Sequence, residues 1–309
     1  MRVFVAGGTG QLGLATIPNL IRAGHAVRAT ARGEDKAAAL RTIGAEPLDV
    51  DLFDSAALGL AIRGCDAVLR LTTKIPALPV MRSRKSWDAN NRLRTEGARA
   101  LVDATLAEGI GRYVSESVTF LYAGDGDGWV TEEAPIATAG VPILEATASS
   151  EAEADRVTSA GGAGVVLRFG SFYSASSDQT RRIAGLVRKR LFPLIGKGDN
   201  YYASIAVADA GAAVTAALEL APGLYNVVDD EPLPYRDYVR TFADVVGGPS
   251  PLRAPRVAGV PVLGADIAEY LFRSSRVSNR RLKEASTWRP EYPTLRAGLE
   301  AIAAELKAA

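Results

Sequence analysis

Apolar and polar positions alternate along the first half of this chain in a regular rhythm. Short apolar runs predict strands at 3–6, 26–31, 46–50, 67–71, 112–115 and 164–169. Between them, apolar residues recur at helical spacing, which predicts helices at 14–23, 34–42, 55–62, 87–108 and 145–159. Strands that alternate with helices in this way predict a parallel sheet with helices on both faces. The fold class expected is therefore α/β, a Rossmann-type doubly wound parallel sheet. After Phe169 the rhythm loosens. A basic amphipathic helix is expected at 179–191, short strands at 202–205 and 224–227, and helices at 208–220, 235–246 and 295–307, with prolines between. Residues 1–170 are thus expected to form the doubly wound domain. Residues 171–309 are expected to form a smaller mixed α/β region that partly returns to the same sheet.

The first strand runs into Ala6-Gly-Gly-Thr-Gly-Gln-Leu-Gly13, and a helix follows. Strand, glycine turn and helix in that order form a dinucleotide-binding fingerprint. Gly7 permits the turn, Gly10 lets the backbone approach a pyrophosphate, and Gly13 lets the helix pack closely. Gly8, Thr9, Gln11 and Leu12 complete the loop, and the helix N-terminus offers free N–H groups to phosphate. The second strand ends Val27-Arg-Ala-Thr-Ala-Arg32, without the carboxylate that suits NAD. Arg32 instead offers a fork for a 2′-phosphate, with Lys36 near it, so NADP is the expected cofactor. Asp51 and Leu52 follow the third strand, where Asp51 either meets the adenine amino group or caps the next helix. Leu71, Thr72 and Thr73 end the fourth strand, beside the expected nicotinamide ribose.

Charge and rare residues narrow the class. Lys and Arg number 36 against 35 Asp and Glu, so no field argues for nucleic acid or an anionic membrane surface. No apolar run is long enough to span a bilayer, and no signal peptide is evident, so a cytoplasmic location is expected. Cys65 and His25 are the only cysteine and histidine. An internal disulfide and a cysteine- or histidine-rich metal site are thereby excluded, and His25 reads as a turn residue. Asp125 and Asp127 lack the EF-hand spacing, so a flexible turn is the default there.

Taken together, the chain resembles the extended and atypical short-chain dehydrogenase/reductase superfamily, in its NAD-dependent epimerase/dehydratase branch. The marks are the glycine turn, Asp51-Leu52, Asn91-Arg-Leu-Arg-Thr-Glu-Gly97, Arg112-Tyr-Val-Ser-Glu-Ser117, Val165-Val-Leu-Arg-Phe-Gly170, Tyr225-Asn-Val-Val-Asp229 and Arg276-Val-Ser-Asn279. The resemblance implies a nicotinamide above the carboxyl ends of the strands and a serine after the fifth strand. Ser117 is the first choice for substrate contact and Thr119 the second, while Tyr122 falls where the family has a structural tyrosine and is otherwise a candidate proton donor, beside water and Glu145. The resemblance also implies a Tyr-x-x-x-Lys pair, yet none of the ten tyrosines has Lys four residues on. Aligned by sequence, Glu145 takes the Tyr position and Ser149 the Lys position, so Glu145 is either a surrogate acid or a solvated helix residue.

The function expected is an NADP(H)-dependent oxidoreductase acting on a small organic molecule. Lys74, Arg82, Arg84 and Lys85 either hold an anionic substrate or form a solvated cluster. Two alternatives stand beside this: a non-redox cyclase, dehydratase or isomerase on the same fold, and an NmrA-like NADP(H)-sensing regulator. A homodimer through the long helix, with Ala100 and Ala104 as its small residues, is the expected assembly.

Overall fold

The computed structural model describes residues 1–77, 80–124, 126–258, 261 and 264–308. The elements run β1 Arg2–Ala6, α1 Gln11–Arg22, β2 Ala26–Thr30, α2 Glu34–Thr42, β3 Glu46–Leu48, α3 Ser55–Ile62, β4 Ala67–Arg70, α4 Asp88–Arg92, α5 Ala98–Ala107, β5 Arg112–Val118, β6 Trp129–Val130, α6 Pro142–Ser159 and β7 Ala163–Phe169. There follow β8 Ser171–Tyr173, α7 Asp178–Arg188, β9 Leu194–Ile195, β10 Tyr201–Tyr202, β11 Ser204–Ala206, α8 Val207–Ala216, β12 Gly223–Val227, β13 Leu233–Pro234, α9 Tyr235–Val246, β14 Arg253–Ala254, α10 Ala265–Leu271, β15 Arg276–Val277, α11 Arg280–Ala285, α12 Leu295–Ala301 and α13 Ala303–Ala308.

Seven parallel strands form the central sheet in the order β12-β7-β5-β4-β1-β2-β3. The chain lays β1, β2 and β3 outward in one direction. It then crosses back to place β4, β5 and β7 on the other side of β1. The order reverses between β1 and β4, and that switch point opens a crevice at the carboxyl ends of the strands. Each face of the sheet buries its own core, because residues along a strand point to alternate sides. Val3, Val5, Leu69 and Val114 pack on one side with Ile17 of α1 and Val214 of α8. Phe4, Val68 and Tyr113 pack on the other with Leu58 of α3, Leu101 of α5 and Val157 of α6.

Local chemistry sets the helix starts. Asp54 caps α3 by accepting from the N–H groups of Ala56 and Ala57, each at 3.0 Å. Ser177 caps α7 through the N–H of Thr180 at 3.2 Å, and Pro142 opens α6, where its missing N–H leaves nothing unbonded. The long helix expected at 87–108 is interrupted. A 3₁₀ turn, Arg84–Trp87, leads into α4, and a π-helical turn, Leu93–Gly97, joins α4 to α5. Past β7 the chain builds a further core, where α7, α9, α12 and α13 meet through Ala184, Phe242, Val246, Leu299 and Leu306. Strand β12 then rejoins the central sheet beside β7.

Candidate active site

The glycine turn is a close-packed cradle. Gly7 has φ of +96°, which favours glycine. A Cβ there would lie 2.8 Å from the Leu71 carbonyl oxygen, so β1 and β4 nearly touch at the switch point. A Cβ on Gly13 would lie 2.3 Å from the carbonyl oxygen of Gly7 and 2.7 Å from that of Gly8. Only hydrogen fits between α1 and the turn. Gly7 donates its N–H to Thr30 Oγ1 at 2.9 Å, which ties the turn to the end of β2. Gly10 stands at the N-cap of α1 without a side-chain cap, so the first amides of the helix are left for a ligand. This cradle fits the pyrophosphate of a dinucleotide. Around it, Thr9 is half-buried, Gln11 is exposed and Leu12 is buried in the core.

At the adenosine end Arg32 and Lys36 are both exposed, directly after β2 and in α2. Asp51 is exposed and accepts from the N–H of Phe53 at 3.0 Å. It does not cap α3, because Asp54 holds that position. Leu52 is half-buried against the core beside α3 and α5. At the ribose end Leu71 and Thr72 are buried and Thr73 is exposed.

Helix α6 meets β5 in a different phase from the one its sequence suggests. Ser117 is buried and donates its hydroxyl to Glu151 Oε1 at 2.5 Å. Arg168, its register partner on β7, holds the same carboxylate in two bonds at 2.8 and 2.7 Å. The α6 positions that share a face with Glu151 are therefore Thr147 and Ile143, at four-residue steps. Thr147 is buried and Ile143 half-buried, whereas Glu145 and Ser149 are exposed. Glu145 does not face Ser117. Its carboxylate accepts from the N–H of Gly140 at 2.9 Å and folds back over the start of its own helix. Tyr122 is fully buried and donates to Asn226 Oδ1 at 2.7 Å. Its ring lies 4.6 Å under the Arg168 guanidinium, and burial pushes its phenol above the usual range. That is a structural post with its proton already committed. Thr119 opens a 3₁₀ turn just past β5 and is 2% exposed.

Two residues absent from the sequence-based candidates form the floor of this region. Arg70 ends β4 and is 1% exposed. It donates Nε to Ser115 Oγ at 3.0 Å, bonds the Glu116 carbonyl, and lies 3.5 Å from the Glu116 carboxylate. Arg94, in the π turn, takes the other carboxylate oxygen of Glu116 at 2.9 Å. Burial pulls the Arg94 guanidinium below its ordinary range and Glu116 pushes it back. Arg70, Arg94 and Arg168 thus face two carboxylates, Glu116 and Glu151, which leaves one positive charge in excess. The signal was present in sequence. Charged residues interrupt apolar strands at Val68-Leu-Arg-Leu71 and Val114-Ser-Glu-Ser117, and buried charges are paired.

Of the basic residues before Trp87, Arg82 and Arg84 line one crevice. Arg84 forks onto Asp266 at 2.8 and 2.7 Å and reaches the Gly140 carbonyl at 3.1 Å. The crevice is narrow and is lined also by Met81, Asn91, Ile143 and Asp266. His25 lies 3.3 Å from the terminal amino group of Met1, away from the site. Asp125 falls outside the described residues. Among the described residues no group of three or more His, Cys, Asp or Glu side chains could hold a metal ion.

The profile of the NAD(P)H-binding family matches residues 7–190. The chain belongs to that family. It is 34% identical over 307 residues, 97% of this chain and 99% of the relative, to a 3-diazoavenalumate denitrifying reductase of a Streptomyces species. It is also 30% identical, over 81% of this chain and 77% of the relative, to the 2-alkyl-3-oxoalkanoate reductase of Stenotrophomonas maltophilia. Among solved structures, a human epimerase family protein with NADPH superposes with a TM-score of 0.82 at 22% identity, covering 98% of this chain and 99% of that one. The UDP-glucose 4-epimerase of Thermotoga maritima follows at 0.80 and 16%, covering 100% and 99%. The likeness to these structures shows the doubly wound fold, and with its family and reductase relatives the chain is an NAD(P)H-binding oxidoreductase. No helix among the described residues is long and apolar enough to cross a membrane.

Proposed function

We propose that this oxidoreductase uses NADP(H) to reduce a small anionic organic molecule whose reacting group needs no proton from the protein. A carboxylate whose diazo group is present as the cationic aryl diazonium is the substrate class that fits best. One observation carries the reading: the α6 face toward Ser117 presents Ile143, Thr147 and Glu151, and α6 has neither Tyr nor Lys. A ketone becomes an alcohol only by taking up a proton as well as a hydride, and general acid catalysis is worth about 10²–10⁴-fold. The relative that matches along nearly the whole chain is named for a diazo substrate and for denitrification, which supports the choice.

When bound, the reduced nicotinamide would supply a hydride; for a cationic diazonium group, replacement of N2 by that hydride balances without a proton from the protein. The chain's own residues bind and orient. Gly7, Gly8, Thr9, Gly10, Gln11, Leu12 and Gly13 cradle the pyrophosphate, and Arg32 takes the 2′-phosphate. Asp51 and Leu52 border the adenine, and Leu71, Thr72 and Thr73 border the nicotinamide ribose. Ser117, fixed by Glu151, and Thr119 line the substrate side. The excess positive charge of the buried cluster favours an anionic substrate. Residues 1–170 hold the cofactor and residues 171–309 cover the substrate. The protein works in the cytoplasm as a homodimer through α5.

The 2-alkyl-3-oxoalkanoate reductase supports a second reading, reduction of a keto acid. Loss of nicotinamide absorbance, followed together with N2 release, separates the two. One NADPH consumed per N2 from an aryl diazo carboxylate is expected. Faster turnover of a 2-alkyl-3-oxoalkanoate, or N2 release without NADPH loss, would overturn the proposal.

A further inference from the structure

A group of aromatic side chains begins where the candidate active site ends. Phe120 follows Thr119 directly, and its ring centroid lies 4.9 Å from that of Tyr270 and 6.0 Å from that of Tyr202. Tyr202 meets Tyr238 at 4.9 Å and Tyr235 at 5.4 Å, both edge-on. Tyr235 and Tyr238 stand parallel on α9. The group is anchored at the carboxyl ends of two central strands. Phe120 continues from β5. Ala203, next to Tyr202, accepts from the N–H of Ser171, two residues past the end of β7. In open α/β sheets ligands bind beyond those strand ends.

Among the described residues, three of the four phenols in this group have no hydrogen-bond partner. Burial pushes Tyr202, Tyr235, Tyr238 and Tyr270 above the usual phenol range, so all four keep their protons at neutral pH. The hydroxyls of Tyr235, Tyr238 and Tyr270 bond no described residue, and Tyr202 has only Ser171 close by. The unpaired hydroxyls of Tyr113 and Tyr173 are sealed inside the protein, but these four are not. A phenol that is deeply set, unpaired and not wholly sealed from solvent is a donor waiting for an acceptor. Flat rings beside such donors suit one kind of ligand.

We propose that Phe120, Tyr202, Tyr235, Tyr238 and Tyr270 select an aromatic carboxylate: its ring stacks on theirs and the phenols donate to its acceptor oxygens. The reaction assigned to such a substrate rests on the function proposed above, but the binding claim is separable from it.

The test uses the NADPH-loaded protein and two acids that carry no diazo group, 3-phenylpropionate and 3-cyclohexylpropionate. They match in length and charge and differ in the ring. Calorimetry should show the aromatic acid binding about tenfold tighter, since aromatic pairing adds roughly three- to tenfold beyond area burial. Tyr202→Leu should shrink that preference to within twofold. Tyr238→Phe removes one oxygen and should weaken both acids about fivefold while leaving the preference intact. Equal affinities in the unmodified protein, or an undiminished preference in Tyr202→Leu, would overturn the binding claim. Should Tyr202→Leu not fold, unchanged affinity in Tyr238→Phe would overturn it instead. A diazo acid that leaves NADPH unconsumed while the aromatic preference persists removes the proposed reaction and supports the binding claim.

Discussion

The two sides of the crevice are made of different material. On the cofactor side the working groups are backbone amides, shaped by Gly7 and Gly13 into a turn that a single Cβ would fill. On the proposed substrate side they are side chains on the faces of α6, α9 and α10, where the Glu151–Arg168 ion pair fixes the α6 face. A backbone site depends on where side chains are missing, so it tolerates no change at its glycines. A side-chain site depends on helix phase and partner choice, and the same fold refits it by substitution. That difference explains how structures at 16–22% identity share one fold.

The sharpest way to break this contrast is Gly13→Ala. The added methyl meets two carbonyl oxygens closer than any real contact, so the turn or α1 must shift. NADPH affinity should fall at least 100-fold by fluorescence titration, while the melting temperature identifies any loss of fold. Next come the substrate-side variants. Ser117→Ala should lower turnover about tenfold or more and leave cofactor affinity within twofold. Glu145→Gln should leave both within twofold, because Glu145 faces solvent. Equal losses in the two variants would restore Glu145 as the acid. Arg32→Ala should remove about a tenfold preference for NADPH over NADH, since a charge-assisted hydrogen bond is worth about 1.5–3 kcal/mol and about 1.4 kcal/mol is one decade. Equal affinity of the unmodified protein for both cofactors would remove the 2′-phosphate role.

The pattern of apolar positions carried much of the fold. The helices at 34–42, 55–62 and 235–246 form with those bounds, because each is bordered by a turn or cap that periodicity reveals. The segment 87–108 does not, since regular spacing cannot register one surplus residue inside a helix. The glycine turn was legible because its chemistry is local. The sequence left Glu145 open between a surrogate acid and a solvated helix residue, because the phase of α6 is set by contacts with β5 and β7, far away in sequence. Arg70 and Glu116 went unread because each looks like an isolated charge until β4 and β5 are paired. The aromatic group joins residues from 120 to 270, and no local window contains it.

Two smaller effects test the frame. Asp229 is 2% exposed, and burial lifts its carboxyl to about 8. The folded state therefore holds a proton that the unfolded chain releases near pH 4, and stability should fall as pH rises from about 4 to 8. The melting temperature should decline across that window, and Asp229→Asn should flatten the decline. A flat profile in the unmodified protein would mean that Asp229 ionises normally. Asp54→Ala should cost about 1 kcal/mol by removing the α3 cap, read as a small drop in urea midpoint with cofactor affinity unchanged.

The π turn Leu93–Gly97 works as a gearing element. In an α-helix each residue advances the face by about 100°, so one extra residue offsets everything before it from everything after. Arg94 can then turn toward the buried Glu116 while Leu101 and Val102 stay meshed with the sheet. Substituting side chains there would leave the offset intact. Deleting a single residue would rotate one half of the rod against the other and take Arg94 away from Glu116 without touching either side chain.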